Sequence, residues 1–471
     1  MNSRENVHES NTYGSNGSVD MTIERVHQHI NSKKEKDLAL LGEFVSHPSI
    51  SAQNHGVKEC ADFLKEVLES CGITSKLMET DGQPIVYGEC LSGNPQAPTI
   101  LFYGHYDVQP PEPLELWDTP PFEPVIRNDH LWGRGTGDNK GQLLTHILAV
   151  RSYLETCGEV PVNVTFVFEG EEEIGSPYMA DFVKAHTNLL AADIVYISDG
   201  PLYKNDLPLI NFGNRGVLSL EIHVTTAATD NHSGNKGGVI PNASWELVRL
   251  LNTMTDHLGN VTIEGFHDDV PPVSETERRL MEALPYDPDS IADTFGVDRM
   301  VLPKMDFYER LMLQPTMTIN GLISGYSGEG SKTIIPAKAS AKIDMRLVGN
   351  QRPDDIFRKV QRHVMQHCPY AKAVNGHSML PSKTDPDLPL CRKVIKAVAD
   401  ATGHQPILMP AAGGSLPNYV WTSILNTPAV SVPYANVDEN NHAPNENIKI
   451  SLFHRGIHTS AQVLHELSII Q

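Results

Sequence analysis

Four apolar runs in this 471-residue chain each end in an acid or lead to a histidine, and that repetition restricts the fold more than any other feature. Residues 99–103 (TILFY) run into Gly104, His105, Tyr106 and Asp107. Residues 162–168 (VNVTFVF) run into Glu169-Gly170-Glu171-Glu172-Glu173, residues 193–198 (DIVYIS) into Asp199, and residues 428–433 (PAVSVP) precede a loop that reaches His442. A short apolar segment bounded by turn signals suits a strand buried in a parallel sheet, whose ligand-carrying residues sit just beyond the strands' carboxyl ends. One strand ending in a polar loop is ordinary. Four that deliver carboxylates and imidazoles to one rim point to a metal site.

The rest of the chain supplies the helices such a sheet needs. Ile23, Val26 and Ile30, then Leu38, Leu41 and Val45, recur at helical spacing, as do Val57, Ala61, Leu64 and Val67 over 56–70. Strands are expected at 74–78 and 85–89, and a helix at 142–156. Strand and helix alternate as far as Asp199, the pattern of a doubly wound α/β sheet. From Gly216 the order becomes strand, helix, long loop through Pro271 and Pro303, two strands, helix, strand. That β-α-β-β-α-β order is ferredoxin-like and reads as a domain inserted into the first. The expected divisions are a disordered tail at 1–20, the first domain at 21–214 and 385–471, and the insert at 215–384. Residues 1–20 earn the word disordered by their Asn, Ser, Gly and Glu content with almost no apolar residues.

Charge and cysteine usage narrow the function. A formal net charge of −21 argues against nucleic acid or an anionic membrane as partner, since both demand basic patches. No apolar stretch approaches the roughly 18 residues needed to span a bilayer, and the N-terminus lacks the make-up of a signal peptide, so a cytoplasmic location is expected. The six cysteines are scattered without CxxC spacing and suggest neither a disulfide framework nor a thiolate zinc site. The glycine-rich 133–141 (GRGTGDNKG) lacks the spacing and context of a phosphate loop.

Histidine nitrogens and carboxylate oxygens without thiolates suit zinc, cobalt or manganese in a hydrolytic site. Two metals about 3.5–4 Å apart need a bridging carboxylate, and Asp138, in its glycine-rich turn, suits that role. Glu172 beside Glu173 offers one carboxylate as base and one as ligand. Standing alone, three consecutive glutamates are most often a solvated charge run; their place after an apolar strand changes that balance.

In order, GHYDVQP, GRGTGDNKG, EGEEEIGS, ISDG, DNHSG and NNHAPNE resemble the motif series of metallopeptidase family 20, over essentially all of residues 30–471. The resemblance implies a doubly wound, zinc-peptidase-like catalytic domain with an inserted ferredoxin-like (α+β) lid and dimerisation domain. It implies two divalent metal ions, zinc with manganese or cobalt as alternatives. Carried over by position, His105, Asp138, Glu173, Asp199 and His442 are the implied ligands, Asp107 the acid that orients His105, and Glu172 the general base. A shift by one residue, to Glu171 and Glu172, stays open. His232 resembles the histidine that reaches into a neighbouring subunit's site, which implies a homodimer. Arg346 resembles the arginine that binds a substrate carboxylate, and Thr333 and Ser415 match substrate-contacting positions.

The wording of DVQP, GGSLP and DMRLV is nearest the carnosinase and cytosolic dipeptidase branch. The expected substrate is therefore a dipeptide or other small amide with a free carboxylate. An N-acyl-amino-acid deacylase of the same family is the alternative, and an inert binding protein on the same fold a more distant one.

Overall fold

The computed structural model describes residues 16–469, which divide into two compact units. The first holds the chain up to Ile210 with Asp387–Ile407 and Val430 onward; the second holds Asn211–Pro386 and Leu408–Ala429.

An eight-stranded sheet runs in the order Thr74–Met78, Ile85–Cys90, Asn163–Glu169, Thr99–His105, Ile194–Ile197, Ala429–Ser431, Leu209–Asn211 and Ile407–Met409. It is mixed. Ile85–Cys90 pairs antiparallel with both of its neighbours, whereas Thr99–His105 pairs parallel with Asn163–Glu169 on one side and Ile194–Ile197 on the other. That central position explains the unbroken apolar run of 100–103, since a strand covered on both faces has no polar side to alternate with.

Helix Lys140–Cys157 is buried around most of its circumference, and helix Ile450–Ser468 packs against it and against Pro389–Thr402. A helix apolar nearly all round belongs in an interior, not on a surface. The α/β fold expected from the strand and helix alternation is the fold observed.

In the second unit, four antiparallel strands lie in the order Thr316–Ser324, Lys338–Leu347, Gly216–Thr225 and Ala371–Met379. Alternate residues Leu218, Leu220, Ile222 and Val224 enter one core with Leu247, Leu250 and Leu251 of helix Ala243–Met254 and Ile356, Val360 and Val364 of helix Pro353–His367. Chain order and strand order together are those of a ferredoxin-like unit.

Three sequence expectations change. The tail expected at 1–20 lies outside the described residues up to residue 15, and helix Asn16–Val45 already includes 16–20, so its first turns precede the apolar pattern that starts at Ile23. The long loop through Pro271 and Pro303 contains helices Glu275–Ala283, Pro288–Phe295 and Lys304–Met312. Each is too short to show a sustained period, although Ser274 and Glu277 form a capping box, a signal visible in the sequence. Finally, Leu408–Ala429, expected in the first domain, groups with the second unit.

Candidate metal centre

Strand register builds the site. His105 stands opposite Glu169 and Tyr103 opposite Ile197, so the three parallel strands end level and their next residues share one rim. Asp199 follows Ile197 by two positions, and the glutamate run follows Glu169. The Tyr106 N–H donates to the Glu169 carbonyl at 2.8 Å, carrying the pairing one residue past the strand.

Asp107 organises two segments at once. Its Oδ1 lies 3.4 Å from His105 Nδ1 and its Oδ1 and Oδ2 accept the backbone N–H groups of Glu172 and Glu173 at 3.2 and 3.1 Å. It is fully buried, and the 3₁₀ turn Glu172–Ile174 hangs from it. That turn separates the three glutamates. Glu171 Oε2 accepts the Gln83 N–H at 3.0 Å, whereas Glu173 Oε2 lies 3.2 Å from His442 Nε2 and accepts from Gln109 Nε2 at 3.0 Å.

Asp138 lies between the two imidazoles. His105 Nε2 is 3.1 Å from its Oδ1, and His442 Nε2 is 3.1 Å from its Oδ2. Asp199 joins the His105 side at 3.9 Å. Two groups of donors therefore share one carboxylate, His105 with Asp199 and His442 with Glu173. Ligand atoms of His105, Asp138 and Glu173 fall within 4.8 Å of one another.

The Asp138 turn is held by a residue that sequence reading passed over. Glu446, 1 % exposed, accepts Arg134 Nη1 at 2.7 Å and the backbone N–H groups of Gly135, Gly137 and Asp138 at 3.0 Å each. Only Gly fits at position 141, where a Cβ would stand 2.0 Å from the Thr136 carbonyl oxygen. Glu439 was missed too. It is equally buried, neither of its oxygens has a hydrogen-bond partner, and a Cβ on Gly137 would approach its Oε2 to 2.3 Å. In sequence both are acids in a polar loop; only burial distinguishes them.

The electrostatics record an excess of acid. Burial, then Asp138, pushes Asp199 up to about 6, and burial raises Glu173 and, more strongly, Glu172 and Glu439. Burial works against ionisation of Asp138, yet hydrogen bonds from His105 and His442 hold its carboxyl below the usual range. The bonds to Asp138 and Glu173 lift His442 to about 10. Like charges packed this closely each resist ionising, and a divalent cation relieves them. The donor set fits such an ion, because the buried His105 Nε2 faces the carboxylate oxygens of Asp138 and Asp199 and no thiolate takes part.

The residues expected to contact substrate all lie in the second unit. Arg346 and Ser415 are brought together, with Arg346 Nη1 donating to Ser415 Oγ at 2.8 Å and Nε to Asp344 Oδ2 at 3.1 Å. Arg215, missed in the sequence, donates through Nε to the Gly413 carbonyl at 2.9 Å; burial, then the Arg346 charge, lowers it to about 10. His232 and Thr333 are neighbours, since His232 pairs with Ile334 and the Ser233 N–H donates to the Thr333 carbonyl. The exposed His232 ring accepts the Gly234 N–H through Nδ1 at 3.0 Å.

An α/β sheet whose strand ends and adjoining loops gather two imidazoles and several buried carboxylates around one rim defines the class of metal-dependent hydrolases. The profile of Peptidase family M20/M25/M40 matches residues 101–466, and the chain belongs to that family. It is 30% identical over 475 residues to the Cys-Gly metallodipeptidase dug1 of Schizosaccharomyces pombe, covering 96% of this chain and 99% of that protein. It is 27% identical to the Beta-Ala-His dipeptidase of Rattus norvegicus, over 95% of this chain and 96% of that one. Among solved structures it resembles an M20 family metallo-carboxypeptidase, Sso-CP2, from Sulfolobus solfataricus. There the TM-score is 0.84 at 34% identity, over 92% of this chain and 99% of the other.

Proposed function

We propose that this chain is a dinuclear metallodipeptidase that hydrolyses the amide bond of dipeptides, or of other small peptides with a free carboxylate. The observation that carries this reading is Asp138, whose two carboxylate oxygens each face one imidazole at 3.1 Å. His105 with Asp199, and His442 with Glu173, would hold one ion each, and Asp138 would join them. The relatives' names, both dipeptidases, support the substrate class. Zinc suits the nitrogen and oxygen donors, with manganese and cobalt as alternatives.

When bound, the ions supply Lewis acidity that polarises the amide carbonyl and acidifies water. The side chains do the rest. Glu172 takes the proton from water as the water oxygen bonds to the carbonyl carbon. It then gives that proton to the nitrogen as the carbon–nitrogen bond breaks. The position of Glu171, turned to Gln83, supports Glu172 and Glu173 as the working pair. Arg346, held by Asp344 and Ser415, presents a guanidinium fork to the substrate carboxylate, with Thr333 a further contact. His232 assists the developing oxyanion from a neighbouring copy, which makes the active form a homodimer joined through the 215–384 domain.

The six cysteines are all free, which suits a reducing cytoplasm. Among the described residues no helix is long and apolar enough to cross a membrane.

Metal counting on purified, reloaded protein tests the dinuclear arrangement. Two equivalents are expected for the native chain and one for His442→Ala, with Asp138→Ala retaining less than either. A single equivalent in the native protein refutes it.

A further inference from the structure

Two helices of the first unit bring a second group of ionisable side chains together, none of them part of the metal centre. His27 and Lys34 are seven residues apart on helix Asn16–Val45, and His454, Arg455 and His458 lie within one turn of helix Ile450–Ser468. Such spacings place each set on one helix face. All five line an open groove of about 450 Å³. The one acid in its lining, Asp400, is engaged by Lys396 of its own helix at 2.6 Å.

The hydrogen bonds show where protons can enter. Gln462 Oε1 can only accept, so His27 Nε2, 3.2 Å away, donates to it. His27 Nδ1 is then the acceptor, and His458 Nδ1, at 2.6 Å, is the donor. Three ring nitrogens remain, and two of them have defined surroundings. His458 Nε2 is 3.4 Å from the side-chain amide of Asn31, whose NH2 group can turn to donate to it, and His454 Nδ1 is buried without a hydrogen-bond partner in a residue only 8% exposed.

We propose that this groove binds a phosphate group or another tetrahedral dianion, through Lys34, Arg455 and protons taken up by His454 and His458. Both helices supply cationic groups, and the groove has room for a phosphomonoester as well as for inorganic phosphate. The charges around the two imidazoles are all accounted for. Lys34 faces both, Asp129 faces His454, and His27 and His454 face His458, while Arg455 donates to the Asp206 carbonyl at 2.8 Å. Burial, followed by Lys34 for His454 and by His27 and Lys34 for His458, pushes both down to about 4, so both are neutral near pH 7. A dianion reverses that environment, and binding therefore takes up protons.

Calorimetric titration of the metal-loaded protein with sulfate, whose charge is constant from pH 8 to pH 6, tests this. Affinity is expected to rise as pH falls, by about tenfold per pH unit for each proton taken up, with uptake read from buffers of different ionisation enthalpy. Lys34→Gln, an exposed change that leaves the fold intact, should weaken sulfate about threefold or more, the loss expected of one charge-assisted contact. His458→Gln should remove one of the two protons taken up while its metal content stays native, which separates this site from anion binding at the metals. Inorganic phosphate and glycerol phosphate form the next arms, and tighter binding of the ester assigns the extra volume to an organic group. Sulfate binding that is independent of pH, or unchanged in both variants, overturns the proposal.

Discussion

Replacement of Glu446 exposes the physics of the metal centre better than replacement of a ligand, because Glu446 touches no ligand side chain and yet shapes the turn that carries Asp138. Its carboxylate receives the Arg134 guanidinium at 2.7 Å and three backbone N–H groups at 3.0 Å, and both side chains are 1 % exposed. In Glu446→Gln the guanidinium keeps its charge without a counter-ion, a loss of about 3–5 kcal/mol for a broken buried pair. The amide oxygen can still accept some of the backbone bonds, so the lower end of that range is expected. Against a total stability of about 5–15 kcal/mol this is a large fraction.

Urea unfolding of the metal-loaded protein should show the loss as a shifted midpoint, and Asp138 should hold its metals less tightly. Arg134→Met in the same background should recover part of the loss, because it removes the stranded charge. A loss below about 1 kcal/mol for Glu446→Gln refutes the reasoning, as would a cost for Arg134→Met that is the same in both backgrounds.

Other perturbations follow the same logic. His146, stacked on Phe102 at 4.3 Å, is pushed by burial down to about 3. Its folded-state value lies below its unfolded value, so the stability it contributes is present above about pH 6.5 and lost as pH falls toward 3, by about 1.4 kcal/mol per pH unit. Denaturation of His146→Leu between pH 7 and 5.5 should show a shallower dependence than native protein; equal slopes would exclude this residue. Gly141→Ala forces a Cβ against the Thr136 carbonyl and should cost about 1–3 kcal/mol and lower metal affinity, checked by melting and chelator competition. Arg346→Lys keeps the charge but loses the fork, so KM for dipeptides should rise about tenfold or more with kcat altered far less. A fall in kcat alone would place Arg346 outside carboxylate binding.

What the sequence made legible was whatever repeats or stands at an element's edge. The central strands were visible as unbroken apolar runs because both faces are covered, and His105 and Asp199 were visible because they break those runs. The ferredoxin-like unit showed itself through the order of its strands and helices after Gly216. Hidden were groups whose role depends on long-range burial. Glu439 and Glu446 sit in a loop with no period, where an acid is ordinarily solvated, and Arg134 among glycines gives no sign of its buried partner 312 residues away. The helices between 275 and 312 are too short for periodicity to outweigh their prolines, and the grouping of Leu408–Ala429 with the second unit is a tertiary fact that no local pattern encodes.

The central claim is that the imidazoles and carboxylates around Asp138 hold metal for hydrolysis with Glu172 as base. The most direct test is turnover of a panel of dipeptides, N-acetyl and N-succinyl amino acids and folate-type glutamates, on protein stripped by chelator and reloaded with zinc, manganese or cobalt, beside Glu172→Gln. The expected result is dipeptide hydrolysis that vanishes on stripping, returns with metal, and falls by about 10²–10⁴-fold in Glu172→Gln while metal content is unchanged. Turnover confined to acylated amino acids would move the substrate to a deacylase. Native-level turnover in Glu172→Gln, or no turnover of any substrate by protein carrying its full metal complement, would contradict the account.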